Sequence, residues 1–173
     1  TAGAGNDTLN GRLGLDILIG GLGNDTYLFE DDLDTIEEEA DGGRDTLISR
    51  ISAATLAANV EDGILLGSAV ALTGNELTNV LTGNNAANIL DGGAGADVLI
   101  GGKGNDLYIV GSQADTVVEN AAEGSDTIES SVSYSLGDNV EHLTLTGAAE
   151  AGMGNELNNK LTGTTAANKL WGG

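Results

Sequence analysis

Cysteine is absent from this 173-residue chain, so no disulfide can staple its 28 glycines, and any locking of flexible turns has to come from stacking or from a metal ion. Basic residues are scarce: six lysines and arginines stand against 27 acidic residues, a formal net charge of −21 that makes nucleic acid or anionic lipid a poor partner. Aromatic residues make up 3%, too few for a layered core of large side chains, whereas 40% apolar content is too high for a disordered acidic tail. A repetitive stack with a narrow aliphatic core satisfies both. No apolar run approaches the roughly 20 residues of a membrane span, and the first residues carry no basic-then-apolar leader. The single histidine, His142, has neither a cysteine nor a second histidine with which to build a zinc or iron site. Its segment, Glu141-His142-Leu143-Thr144-Leu145, reads as sheet surface rather than as part of a catalytic triad. Carboxylates abound, but Trp171, Phe29 and three tyrosines are too few to line the cleft of a glycosidase, and the chain is read as not being an enzyme.

What is present is a six-residue turn, Gly-Gly-x-Gly-x-Asp. It occurs at Gly20-Gly21-Leu22-Gly23-Asn24-Asp25, at Gly92-Gly93-Ala94-Gly95-Ala96-Asp97 and at Gly101-Gly102-Lys103-Gly104-Asn105-Asp106, with Tyr27, Leu99 or Tyr108 two residues on. The sixth-position aspartates keep a nine-residue phase through Asp7, Asp16, Asp25 and Asp34 even where glycines are lost; an eleven-residue step then leads to Asp45. The same events repeat at Asp97, Asp106, Asp115 and Asp126. Further matches, Asn59-Val60-Glu61 with Asn139-Val140-Glu141 and Gly74-Asn75-Glu76-Leu77 with Gly154-Asn155-Glu156-Leu157, indicate duplication of one large block. Residues 1–19 then read as the end of a preceding block, 20–100 as block one and 101–173 as a truncated block two, all in one continuous solenoid. The chain is expected to be a piece of a longer array.

Two nonapeptides, each a short strand and a tight turn, make one coil, so positions 18 apart stack. Residues two beyond the aspartates, among them Leu9, Leu18, Tyr27, Ile36, Leu47, Val117 and Ile128, should point inward as aliphatic ladders, because alternate strand residues share a face. No coil buries its face alone, so stability is a nearest-neighbour property. The stretches 48–73 and 129–153 depart from the nonapeptide, and their Thr/Ser/Leu alternation suggests longer strands within the same solenoid.

Glycine at the first, second and fourth turn positions permits positive φ and turns carbonyl oxygens toward a common point. Calcium takes six to eight hard oxygens, mixing carboxylate and carbonyl, and the spacing of two nonapeptides lets an ion sit between successive turns. Asp7 would pair with Asp25, Asp16 with Asp34, Asp97 with Asp115, Asp25 with Asp45 and Asp106 with Asp126. The carbonyls would come from Gly3, Gly5, Gly20, Gly21, Gly23, Gly92, Gly93, Gly95, Gly101, Gly102 and Gly104. At Asn79, Asn88, Asn159 and Asn168 an amide replaces the carboxylate, and turn capping without metal is expected. The acidic run Asp31-Asp32, Asp34 and Glu37-Glu38-Glu39 reads as solvated surface.

In phase and residue choice these repeats resemble the RTX (hemolysin-type) family of secreted bacterial proteins, whose signature is GGxGxDxLx. The resemblance implies an all-β fold, a right-handed parallel β-roll or β-helix with two nonapeptides, about 18 residues, per coil, and several calcium ions bound at its edge turns. It also implies folding on calcium outside the cell, export through type I secretion machinery and a secretion signal beyond Gly173. An alternative is an extracellular adhesin, surface-layer segment or carbohydrate-binding accessory module. An anionic polysaccharide would need a basic strip, and Arg12, Arg44, Arg50, Lys103, Lys160 and Lys169 are scattered through the sequence. Any enzymatic activity would belong to another domain of the parent protein.

Overall fold

Leu9, Tyr27, Leu47, Leu81 and Leu99 recur on one side of the coil and Leu18, Leu72, Leu90, Tyr108, Ile128 and Leu143 on the other, and burying both rows between two facing sheets forms the core. The computed structural model, which describes residues 2–173, is a parallel β-solenoid of about nine coils; among those residues there is no helix. One seven-stranded sheet stacks Thr8–Asn10, Thr26–Phe29, Thr46–Ser49, Asp62–Leu65, Val80–Thr82, Val98–Ile100 and Thr116–Val118. The other stacks Ala53–Thr55, Ala71–Thr73, Ile89–Asp91, Leu107–Val110, Thr127–Ser130, His142–Leu145 and Lys160–Thr162. Two shorter sheets, Ile17–Ile19 with Thr35–Glu37, and Tyr134–Ser135 with Ala151–Met153 and Lys169–Trp171, complete the set, and every ladder is parallel.

The register offset between stacked strands is 18 through most of the stack, as in Leu81 against Leu99 and Leu72 against Leu90. It lengthens to 20 between Thr26 and Thr46 and between Leu107 and Thr127, where the loops 38–44 and 119–125 are inserted. The following coils shorten, to an offset of 16 between Thr46 and Asp62 and of 15 between Thr127 and His142. The segments 48–73 and 129–153 therefore remain in the solenoid, but not as longer strands: theirs are two to four residues long, and the short coils absorb the departure from nine.

Asp25 and Asp106 stand nine nonapeptides apart, and an odd number of half-coils carries the second copy to the opposite side of the solenoid. Thr26–Phe29 and Thr46–Ser49 lie in the first large sheet, whereas their counterparts Leu107–Val110 and Thr127–Ser130 lie in the second. Each inward residue packs on the coils before and after it. Leu90, wholly buried, stacks between Leu72 and Tyr108. Leu90→Ala is expected to cost about 2–5 kcal/mol, read as a lower urea midpoint with calcium present.

Candidate metal centres

The sixth-position side chains form ladders along both edges. In each, one carboxylate oxygen accepts from the backbone N–H of the sixth residue one coil earlier: Asp25 from Asp7 at 2.7 Å, Asp45 from Asp25 at 2.7 Å, Asp34 from Asp16 at 3.2 Å, Asp115 from Asp97 at 3.1 Å and Asp126 from Asp106 at 2.8 Å. All five expected pairs are thus adjacent. Asp97 and Asp106 also cap the asparagine turns before them, accepting from Asn79 N and Asn88 N. Glu61 and Glu141 take the sixth position in the short coils, accepting from Asp45 N and Asp126 N at 2.8 Å each.

The other carboxylate oxygen separates the turn types. In the asparagine turns, Oδ1 accepts from an N–H four residues back, as Asn79 does from Asn75 and Asn88 from Asn84, while the amide nitrogen donates to carbonyls of the previous coil, Glu61 O and Ala69 O among them. These side chains are satisfied by the fold. Oδ2 of Asp25, Asp34, Asp45, Asp97 and Asp106 is buried with no hydrogen-bond partner. A buried carboxylate oxygen without a donor is costly, and a hard cation is what such oxygens suit. Asp115 differs, because its Oδ2 accepts from Gly111 N and Ser112 N. Asp7 and Asp16 are only partly buried.

Electrostatics agree with the geometry. Burial, reinforced by neighbouring carboxylates and only partly offset by the N–H bonds, pushes Asp97 and Asp106 up to about 6. Glu119 is pushed up to about 7, mainly by burial, with Asp126 and Asp106 adding to it. Asp34, Asp45, Asp126 and Glu38 also lie above the usual carboxylate range, each chiefly through burial.

Glycine serves these turns in two ways. Gly21, Gly23, Gly93, Gly95, Gly102 and Gly104, at the second and fourth positions, have φ between 79° and 136°. The first-position glycines do not have positive φ, contrary to the expectation from sequence; there a Cβ would collide with the aspartate five residues on. At Gly20 it would meet Asp25 Oδ2, Tyr27 Oη and Glu38 Oε1, and at Gly101 Tyr108 Oη and Asp106 Oδ2.

Among the described residues, two places gather three carboxylates. Oxygens of Asp25, Glu38 and Asp45 lie within 4.8 Å of one another, as do those of Asp106, Glu119 and Asp126. Tyr27 Oη donates to Glu38 Oε1 and Tyr108 Oη to Glu119 Oε1, while Gly101 N donates to Tyr108 Oη at 2.9 Å. Asn59 and Asn139, both in the left-handed region, donate their amides to the carbonyls of Glu38 and Glu119 at 2.8 and 3.0 Å. The Asn-Val-Glu segments therefore brace these centres, the asparagine holding the backbone of Glu38 or Glu119 and the glutamate holding that of Asp45 or Asp126. Glu38 corrects the reading of the 31–39 run as solvated surface, and Glu119 was not singled out in the sequence. The signal for both was parity: Glu38 follows inward Ile36 by two residues and Glu119 follows Val117 by two, so strand alternation aims them inward.

A family model, the RTX calcium-binding nonapeptide repeat in four copies, matches residues 1–36, 73–117 and 153–173, more than half of the chain. The chain belongs to the RTX family. Its repeats are thus calcium-binding repeats in a β-roll, a structural calcium-binding fold rather than a catalytic one. RTX repeat proteins are typically secreted, and among the described residues no helix is long and apolar enough to cross a membrane. A search of curated proteins and one of solved structures returned no match. The RTX match takes in Asp7, Asp16, Asp25, Asp34, Asp97, Asp106 and Asp115 but stops short of Glu38, Asp45, Glu119 and Asp126.

Proposed function

We propose that this chain is a calcium-operated folding module of an exported protein, two repeat blocks in one solenoid, with Asp7, Asp16, Asp25, Asp34, Asp45, Asp97, Asp106, Asp115 and Asp126 as its edge carboxylates and the turn glycines Gly3, Gly5, Gly20, Gly21, Gly23, Gly92, Gly93, Gly95, Gly101, Gly102 and Gly104 around them. The observation that carries this is the set of buried carboxylate oxygens left without a donor at five aspartates stacked along the edges. Without a cation these like charges repel and their desolvation opposes folding; with one, binding free energy becomes folding free energy. Extracellular modules bind calcium at about 10⁻⁴–10⁻³ M, so the chain would stay open in the calcium-poor cell, pass through a type I secretion channel and close outside. Against a polysaccharide-binding role, one of the six basic side chains, Arg44, is engaged by Asp62 in a two-pronged ion pair.

The test is far-ultraviolet circular dichroism during a calcium titration with magnesium as control. A calcium-specific coil-to-β transition with a midpoint on the order of 10⁻⁴–10⁻³ M is expected. A β signal already complete in chelator would shift the chain to a permanently folded scaffold. In the same titration Asp106→Ala is expected to weaken calcium binding roughly tenfold or more, about 1.4 kcal/mol, whereas Asn88→Ala should lower stability with little change in affinity. Equal effects on the midpoint would erase the distinction between the two turn types.

A further inference from the structure

We infer that Glu38 and Glu119, which lie outside the nonapeptide turns, complete two of the edge sites as three-carboxylate centres, each holding one large hard cation: Asp25, Glu38 and Asp45 in the first, Asp106, Glu119 and Asp126 in the second. The inference deepens the calcium-binding reading, from which it takes only the hardness of the ion. Four observations converge. The three carboxylates of each group lie within 4.8 Å of one another. Asp25 Oδ2, Asp45 Oδ2, Asp106 Oδ2 and Glu119 Oε2 are buried and have no partner. The glutamate is a built part of the fold, its backbone carbonyl held by Asn59 or Asn139 and one carboxylate oxygen held by a tyrosine hydroxyl. Lastly, the arrangement recurs nine nonapeptides on, at the opposite side of the solenoid and with Glu38 and Glu119 outside the stretches that carry the nonapeptide match.

Tyr27 and Tyr108 sit where other turns carry leucine, as at Leu9 and Leu99, and are wholly buried. A leucine would fill the core equally well; the hydroxyl serves the glutamate. It occupies one oxygen of each glutamate; the other, Glu119 Oε2, has no partner in the second centre, and in the first, Glu38 Oε2 accepts only from Glu39 N, at 3.2 Å. Three carboxylates exceed the charge of Ca2+ by one, so a trivalent lanthanide neutralises the centre fully and is held more tightly than calcium. Mg2+ is disfavoured, because it retains its waters and a strict octahedron, and these oxygens are screened from solvent.

Tyrosine also supplies the readout. With Tyr134→Phe and Trp171→Phe in place, Tyr27 and Tyr108 are the remaining tyrosines, and each can sensitise the luminescence of a terbium(III) ion bound beside it. Terbium titration is expected to saturate two sensitised ions per chain, displaced by calcium only at large excess and not by magnesium. Glu38→Gln and Glu119→Gln should each remove about half of the signal, and the double variant nearly all of it, while the calcium-saturated β signal and the remaining ion count by calorimetry persist. Glu39→Gln, an exposed neighbour, should change nothing. Sensitised luminescence unchanged in the double variant overturns the inference, as does a signal lost only together with the β signal at saturating calcium, which would assign the glutamates to the fold alone. Both outcomes are independent of whether the chelated chain is folded, so the switch and the centres stand or fall separately.

Discussion

Gly101→Ala is expected to remove the second centre outright and to lower the calcium-loaded stability by about 3 kcal/mol, the upper part of the range for an overpacked interior. The reason is steric and local. A Cβ at position 101 would overlap Tyr108 Oη and Asp106 Oδ2, both buried and neither free to withdraw. Tyr108 is pinned by Glu119 and stacked on Leu90, and Asp106 is tied through Oδ1 to Asn88 N. Expelling the aspartate would break the ladder that links two coils, and expelling the tyrosine would open the core. Backbone strain plays no part, since φ at Gly101 is not positive. Gly137→Ala is the control, because the nearest atom to its added Cβ is 3.7 Å away and its φ is not positive either. Urea denaturation in saturating calcium compares the two. A midpoint for Gly101→Ala equal to that of Gly137→Ala would show that the first glycine of the turn is not set by the carboxylate it faces.

These glycines mark where sequence reading reaches and where it stops. A nine-residue phase with aspartate at the sixth place fixes coil length, strand parity and stacking partners, because each follows from backbone geometry alone. Tyr27, Leu47, Leu99 and Ile128 were legible as core on that ground, and all are wholly buried. The adjacency of Asp25 with Asp45 was legible too, since a two-residue insertion on one side of the coil leaves the other in register. The role of the first glycine was not, because a turn pattern states that a side chain is missing without stating what fills its place. Glu38 was hidden by composition: among Asp31, Asp32, Asp34, Glu37, Glu38 and Glu39 charge alone does not distinguish the inward one, and continuing the parity of Ile36 past the strand end is what separates it. Asn59 and Asn139 were visible as a repeated motif with no assignable task. Their left-handed backbone and long-range bonds to Glu38 and Glu119 exist only once the two shortened coils have closed.

Acid should replace calcium in folding this chain, and calcium should reverse the effect. Asp97, Asp106 and Glu119 are ordinary carboxylates near 4 when unfolded, but burial raises them in the folded state to about 6, about 6 and about 7. Asp106 and Glu119 share a centre and titrate as a pair. Between about pH 4 and pH 7 the folded chain therefore binds more protons than the unfolded one. Stability then falls as pH rises through that window, the opposite of the usual salt-bridged carboxylate. In chelator, lowering the pH from above 7 to about 5 is expected to raise the melting temperature and restore β signal, because protons neutralise the edge that calcium would otherwise neutralise. In saturating calcium the dependence changes sign, since the ion requires the ionised carboxylates and protons compete with it, so affinity drops as the pH falls below about 7. Thermal melts followed by circular dichroism across this range, with and without calcium, would give two curves that converge toward acid. A melting temperature in chelator that climbs with pH from 4 to 7 would mean that the edge carboxylates are not desolvated in the folded chain, and would remove the electrostatic basis of the switch along with it.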